Sequence, residues 1–196
     1  MDEFRSDVAF SDSVKAVQRE LGSREAMRRM AATRDFGHAI TANLAAFLAQ
    51  RDSFYLATAS ADGQPYIQHR GGPAGFLQVL DEFTLAFADF AGNRQYVTLG
   101  NLRENDRVTL FVMDYAARQR IKIWGRARVM EDDVSLLARL SVAGYDGEPQ
   151  RVIAVSVSAW DVNCQQHITV RHDETTIARA MQKVIRSPTS SCATNS

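Results

Sequence analysis

The chain has 196 residues, 45% hydrophobic and 23% charged, with 23 Lys+Arg against 23 Asp+Glu and a formal net charge of +0 at pH 7. That length can bury one ordinary core, so a single domain is expected, and the balanced charge argues against nucleic-acid binding by bulk electrostatics. No run approaches the roughly 20 apolar residues of a membrane span, and Cys164 and Cys192 are too far apart to suggest a disulfide framework.

Residues 1–50 read as peripheral helices. The opening MDEFRSDVAF is acidic and polar, unlike a signal peptide, and with the sparse cysteines it points to the cytoplasm. Ser23 is placed to cap REAMRRMAATRDF, and Thr41 precedes ANLAAFLAQ, where Leu44, Phe47 and Leu48 recur at helical spacing. SFYLATAS then reads as a strand, Asp62-Gly63 as a hairpin turn, and PYIQHR as the returning strand. On that strand Tyr66, Gln68 and Arg70 share one face, and Ile67 and His69 the other. FLQVLDEFTLAF reads as two strands joined at Asp81-Glu82.

Asn93 is positioned to cap a short helix over RQYVTLGNL. RVTLFVMD is apolar on both faces, which predicts a central strand. RQRIKIWGRARVM alternates strictly: Arg120, Lys122, Trp124, Arg126 and Arg128 on one face, Ile121, Ile123, Gly125, Ala127 and Val129 on the other. DDVSLLARL predicts a helix capped by Asp132 or Asp133, Arg151 to Trp160 a strand, and Glu174 to about Ile185 a last helix. The end, 187–196, has the composition of a disordered tail. Antiparallel hairpins with helices before, between and after them predict an α+β fold around a small closed or split barrel.

Two segments place an arginine beside glycine, HRGGPAGF from His69 and ADFAGNRQY from Ala88. Glycine lets backbone approach a ligand, and guanidinium pairs with phosphate. Arg94 in the first turn of a helix would be unfavourable without an anion. The plain alternatives are solvated or capped turns, and for the cationic strand face a wet sheet surface. NCQQH, Asn163 to His167, offers groups able to hydrogen-bond a heteroaromatic edge. Cys164 and His167 are too sparse for a metal site, so none is expected, and they are weak as a nucleophile pair. No catalytic residue is assigned; these two are the nearest candidates. An oligonucleotide-binding barrel using the Arg120–Arg128 face is a further alternative, weakened by zero net charge and few aromatics for stacking.

The ordered set SFYLATASADGQP, HRGG, AFADFAGNRQ, RIKIWGRARV and WDVNCQQH resembles the pyridoxamine 5'-phosphate oxidase-like family of FMN-binding split barrels. The resemblance covers roughly Ala39 to His172. It implies a six-stranded antiparallel split β-barrel with flanking helices, one domain over 1–186 with an N-terminal helical extension, and a homodimer with flavin at the subunit interface. By position it implies that Gln68, His69, Arg70 and Gly71 lie beside the isoalloxazine ring, with Ala88 and Asp89 also adjacent. Asn93, Arg94 and Gln95 would hold the phosphate, and Gln119, Arg120 and Lys122 would reach flavin across the dimer. Asn163, Cys164, Gln166 and His167 complete the candidate set. The implied function is an FMN-dependent oxidoreductase acting on a small molecule, with NADH or NADPH as possible donor. The alternative is a non-catalytic flavin-binding or sensor protein on the same barrel. Family members that oxidise pyridoxamine phosphate end in a Trp- and Arg-rich segment; WDVNCQQHITVRH departs from it, so that substrate is not expected.

Overall fold

A computed structural model describes residues 4–142, 144–163 and 165–186. The 187–196 tail and Cys164 lie outside these residues. The described helices are α1 (Asp12–Glu20), α2 (Arg24–Arg34), α3 (Ala42–Leu48), α4 (Val97–Glu104), α5 (Val134–Leu140) and α6 (Glu174–Arg186), after a 3-10 turn at Arg5–Val8. The strands are β1 (Ser53–Ala59), β2 (Pro65–Gly71), β3 (Gln78–Asp81), β4 (Thr84–Phe90), β5 (Arg107–Asp114), β6 (Gln119–Met130) and β7 (Pro149–Asn163).

All seven strands join one antiparallel sheet in the order β2-β1-β5-β6-β7-β4-β3. This corrects the expected strand count, with one more strand than the six of the implied barrel. The described ladder does not close, because β2 and β3 are its two edges, which is the split rather than the closed form. The sheet nevertheless curls on itself. Phe54 of β1 meets Phe87 of β4 edge-on at 5.2 Å, although three strands lie between them in the ladder. Twisted strands of this length coil until the inner faces pack, and the seam stays open where no strand pairs.

The alternating pattern decides which side chains fill the inside. Phe54, Leu56 and Thr58 of β1, Val108, Leu110 and Val112 of β5, and Ile121, Ile123 and Ala127 of β6 are buried. Leu44 and Leu48 of α3 close one end of this core. Thr41 caps α3 by accepting from the Leu44 amide at 3.2 Å, as expected. A second, smaller cluster joins Ala86, Ala88, Val152 and Ala154 to Leu140 of α5, and Asp133 caps that helix. Ser23 precedes α2 but makes no side-chain cap. Asp62-Gly63 sits inside a longer loop, since the β1–β2 ladder ends at Ala59↔Pro65.

The N-terminal extension is tied to the outer face of β6 at Trp124 and to β7 at Trp160. Phe36 stacks on Trp124 at 5.3 Å, Gly37 bridges to Trp160, and the Trp160 indole donates to the Ala39 carbonyl at 3.0 Å. A Cβ at Gly37 would overlap that indole. The Asp35 carboxylate accepts from the amides of Arg5, Phe36 and Ser6, pinning the first turn to the same place. No described helix is long and apolar enough to cross a membrane.

Candidate functional site

A cleft of about 160 Å³ opens where β2, β4, the loop after β4, the start of α4 and the start of β7 converge. It gathers six of the expected residues: Gln68, Arg70, Asp89, Asn93, Arg94 and Gln95. The β2 pleat turns Gln68 and Arg70 inward and leaves Ile67 and His69 exposed. Thr98 of α4 donates to the Gln68 side-chain oxygen at 2.9 Å, which fixes that amide beside the helix start.

The floor of the cleft is an ion-pair cluster. Asp89, only 6% exposed, accepts from Arg70 at 2.5 Å through one oxygen and from Arg151 at 3.3 Å through the other. Asp89 and Arg151 are directly opposed in the β4–β7 ladder. The Nε groups of Arg70 and Arg151 are buried and have no hydrogen-bond partner. Packing closes off these two Nε atoms, but both guanidiniums line the cleft, where their Nη groups can meet an anion.

The loop above the floor differs from its sequence reading. Helix α4 begins at Val97, so Arg94 lies before the first helical turn and Asn93 is not its cap. Instead the Asn93 side chain accepts from the Gln95 amide at 3.1 Å, and Arg94 and Tyr96 take left-handed conformations, φ 60 and 53. Tyr96 is the residue preceding the helix and offers no side-chain cap. Val97, Thr98 and Leu99, the first residues of α4, line the cleft, which puts the positive end of the helix beside it. Left-handed non-glycine residues cost energy and gather at ligand sites.

The other expected residues are not in this cleft. His69 points outward and packs edge-on to Tyr55 at 5.5 Å. Gly71 ends β2 beyond the cleft. Ala88 is 2% exposed and turned into the cluster under α5, so its side chain is closed to a ligand. Gln119, Arg120 and Lys122 lie at the far end of β6, where Arg120 pairs with Asn163 and Lys122 with Asp161 in the ladder. Burial pushes the Asp161 carboxyl above its ordinary range, against the pull of Lys122. Gln166 and His167 follow in an exposed turn, His167 at φ 60. Cys164 lies outside the described residues, as does the Asn163 side chain. From Lys122 to Met130, which faces Val152 next to Arg151, is eight residue steps along β6, roughly 26 Å at strand spacing. The two groups of candidates thus stand at opposite ends of one strand.

Sequence reading misses Arg151. Arg151 looked like an ordinary strand start, and only the β4–β7 register brings it to Asp89. A larger open cleft, about 1150 Å³, lies between the first turn and the outer face of β1, β5 and β6, with Trp124 in its wall. Among the described residues no three His, Cys, Asp or Glu side chains gather as a metal site.

The chain is similar to several solved structures. HupZ from Group A Streptococcus has a TM-score of 0.50 at 17% identity, covering 67% of this chain and 99% of that one. An FMN-binding protein from Syntrophomonas wolfei gives 0.48 at 12%, covering 60% and 81%. A protein from Clostridium acetobutylicum related to general stress protein 26, of the pyridoxinephosphate oxidase family, gives 0.47 at 13%, covering 67% and 92%. No curated protein matches the sequence. The family model for pyridoxamine 5'-phosphate oxidase matches residues 40–164, every described strand within it, and the chain belongs to that family.

Proposed function

We propose that this protein binds FMN at a homodimer interface and acts as an oxidoreductase on a small molecule, with NADH or NADPH as donor. The carrying observation is the cleft that brings Gln68, Arg70 and Arg94 together from two separate segments, with Arg151 and the shared carboxylate of Asp89 in its floor. Its volume suits a phosphate and the adjoining chain, and is smaller than the roughly 300–1,000 Å³ pockets that enclose whole cofactors. The phosphate end would be held here and the ring would lie beyond it. The residues present fit the phosphate.

When bound, the flavin supplies hydride and electron chemistry. The chain's own part is to neutralise the phosphate through Arg70 and Arg94, orient it on the α4 amides, and hold it with Gln68 and Gln95. Gln119, Arg120 and Lys122 lie too far from this cleft to serve the same flavin within one chain, which supports their acting across a dimer. The outer face supports the same partner: Tyr55, Phe111 and Lys122 are in register across β1, β5 and β6, and Ile67 beside them is 64% exposed.

Purified protein should be yellow, or quench FMN fluorescence with a dissociation constant of at most roughly micromolar. A colourless protein that leaves added FMN fluorescence unchanged overturns the reading. A second, non-catalytic flavin-binding reading has one observation in its favour. Among the described residues the single acid lining the cleft, Asp89, is held by two arginines, and no His or Cys lines it. Steady oxidation of NADH or NADPH by the loaded protein separates the two.

A further inference from the structure

We propose that Arg151 is a third phosphate-binding cation, and that with Arg70 and Arg94 it matches the cleft to a terminal phosphate monoester in its dianionic form. The inference rests on the flavin reading and adds to it a residue and a ligand class.

Three features of Arg151 carry it. Its side chain is 14% exposed, and Asp89 satisfies only one of its Nη groups, at 3.3 Å. Its other Nη donates to Gln150 at 3.1 Å. Its Nε is buried without a hydrogen bond, the nearest carboxylate oxygen, on the exposed Glu131, being 3.9 Å away. Arg70 stands across Asp89 in the same condition, its Nε also unpartnered. One carboxylate thus fixes two guanidiniums without using up their donors.

The charge count points to the ligand class. The charged residues lining the cleft are Arg70, Arg94, Arg151 and Asp89, three cations against one anion. That leaves an excess of two positive charges in a small, partly buried space. A phosphate monoester carries about −1.5 to −2 at neutral pH. Each phosphate of a dinucleotide's pyrophosphate carries one charge, one ester bond and one anhydride bond, so a cleft sized for a single phosphate would receive only one of its charges. Without Arg151 the excess falls to one. Guanidinium is suited to the task because its planar fork binds two oxygens at once.

The test is titration of FMN, riboflavin and FAD into the wild type, Arg151→Gln and Arg151→Lys, read by flavin fluorescence at pH 7.5 and 5.5. Far-UV circular dichroism checks each fold. Arg151→Gln should weaken FMN about tenfold or more and leave riboflavin unchanged. It should also narrow the preference for FMN over FAD. Arg151→Lys should fall between, which keeps the test decisive if the glutamine variant does not fold. The groups facing the phosphate are Arg70, Arg94, Arg151, Asp89, Tyr66 and Tyr96, with Glu131 behind Arg151. The monoester gains its proton near pH 6, so wild-type FMN affinity should drop at pH 5.5, and drop less in Arg151→Gln. Equal FMN affinity in wild type and both variants, with FMN still preferred over riboflavin, overturns the role of Arg151 and leaves the flavin reading intact. A wild type that binds no flavin overturns both.

Discussion

Arg70 on β2 and Asp89 on β4 meet at 2.5 Å across the seam where the sheet does not close. No ladder joins those strands, so side chains do there what backbone pairing does elsewhere. The same contact forms the floor of the candidate phosphate site. Seam and site are one piece of structure, and a change at either residue reaches both.

Removing Asp89 should therefore destabilise the fold. Asp89→Ala leaves two buried guanidiniums with no counter-charge, and breaking such a cluster costs about 3–5 kcal/mol. Urea denaturation should show the loss as a lower midpoint with an unchanged slope. Phosphate-bearing ligand should restore part of it, because an anion replaces the missing carboxylate. An Asp89→Ala protein as stable as the parent would mean the seam does not depend on this cluster.

The N-terminal turn should undock in acid. Burial alone would raise the Asp35 carboxyl, but the amides of Arg5, Phe36 and Ser6 that donate to it outweigh this and hold it below the usual carboxylate range. A lowered folded value means the contribution is present above the unfolded value, about 3.9, and is lost as pH falls through the lower folded one. Trp124 reports the event through its stack with Phe36. Near-ultraviolet circular dichroism should change in that acid window, and Asp35→Ala should show the changed signal already at neutral pH.

Gly37 offers a separate handle on the same extension. Its amide and carbonyl both bond to Trp160, at 2.9 and 2.8 Å, and a side chain would displace the indole. Gly37→Val should release the extension, so that limited proteolysis cuts before Ala39 while the sheet stays intact. Unaltered cleavage would show that the bridge is dispensable.

Much of this architecture is legible in the residues. The alternation from Gln119 to Met130 specifies β6 and its faces, and the apolar run of β5 marks it as interior, because burial has a period of two in a strand. The shared face of Gln68 and Arg70 is legible for the same reason. What could not be read depends on long-range geometry. Arg151 enters the site through register with Asp89, 62 positions earlier in the chain. The open seam is set by the curl of the whole sheet. The start of α4 was read too early because a left-handed Tyr96, not a side-chain cap, begins the helix. The docking of Phe36 on Trp124 has no local pattern to announce it.

The proposed dimer predicts a mass change. Ile67→Glu puts a charge on an edge-strand position that is 64% exposed, where it costs little in the monomer and much in an apolar interface. Sedimentation should give a dimer for the wild type at micromolar concentration and a monomer for the variant. FMN affinity should fall with it, since Lys122 and its neighbours would no longer reach a partner's site. A wild type that is monomeric with FMN bound would contradict the shared site.

Arg94 separates charge from backbone. It is exposed, adopts φ 60, and sits at the rim of the cleft before the first amides of α4. A charge-assisted hydrogen bond to phosphate is worth about 1.5–3 kcal/mol, so Arg94→Ala should weaken FMN about ten- to a hundredfold. Riboflavin, without phosphate, should be nearly unaffected. Arg94→Lys should recover only part of the loss, because ammonium cannot form the bidentate fork. Arg94→Gly relaxes the left-handed conformation that alanine strains, so it should be the more stable of the two truncations. If the charge is what matters, glycine and alanine variants lose FMN affinity alike. If loop shape is what matters, glycine keeps the affinity and alanine loses it. Equal losses for FMN and riboflavin in any variant would place the phosphate elsewhere.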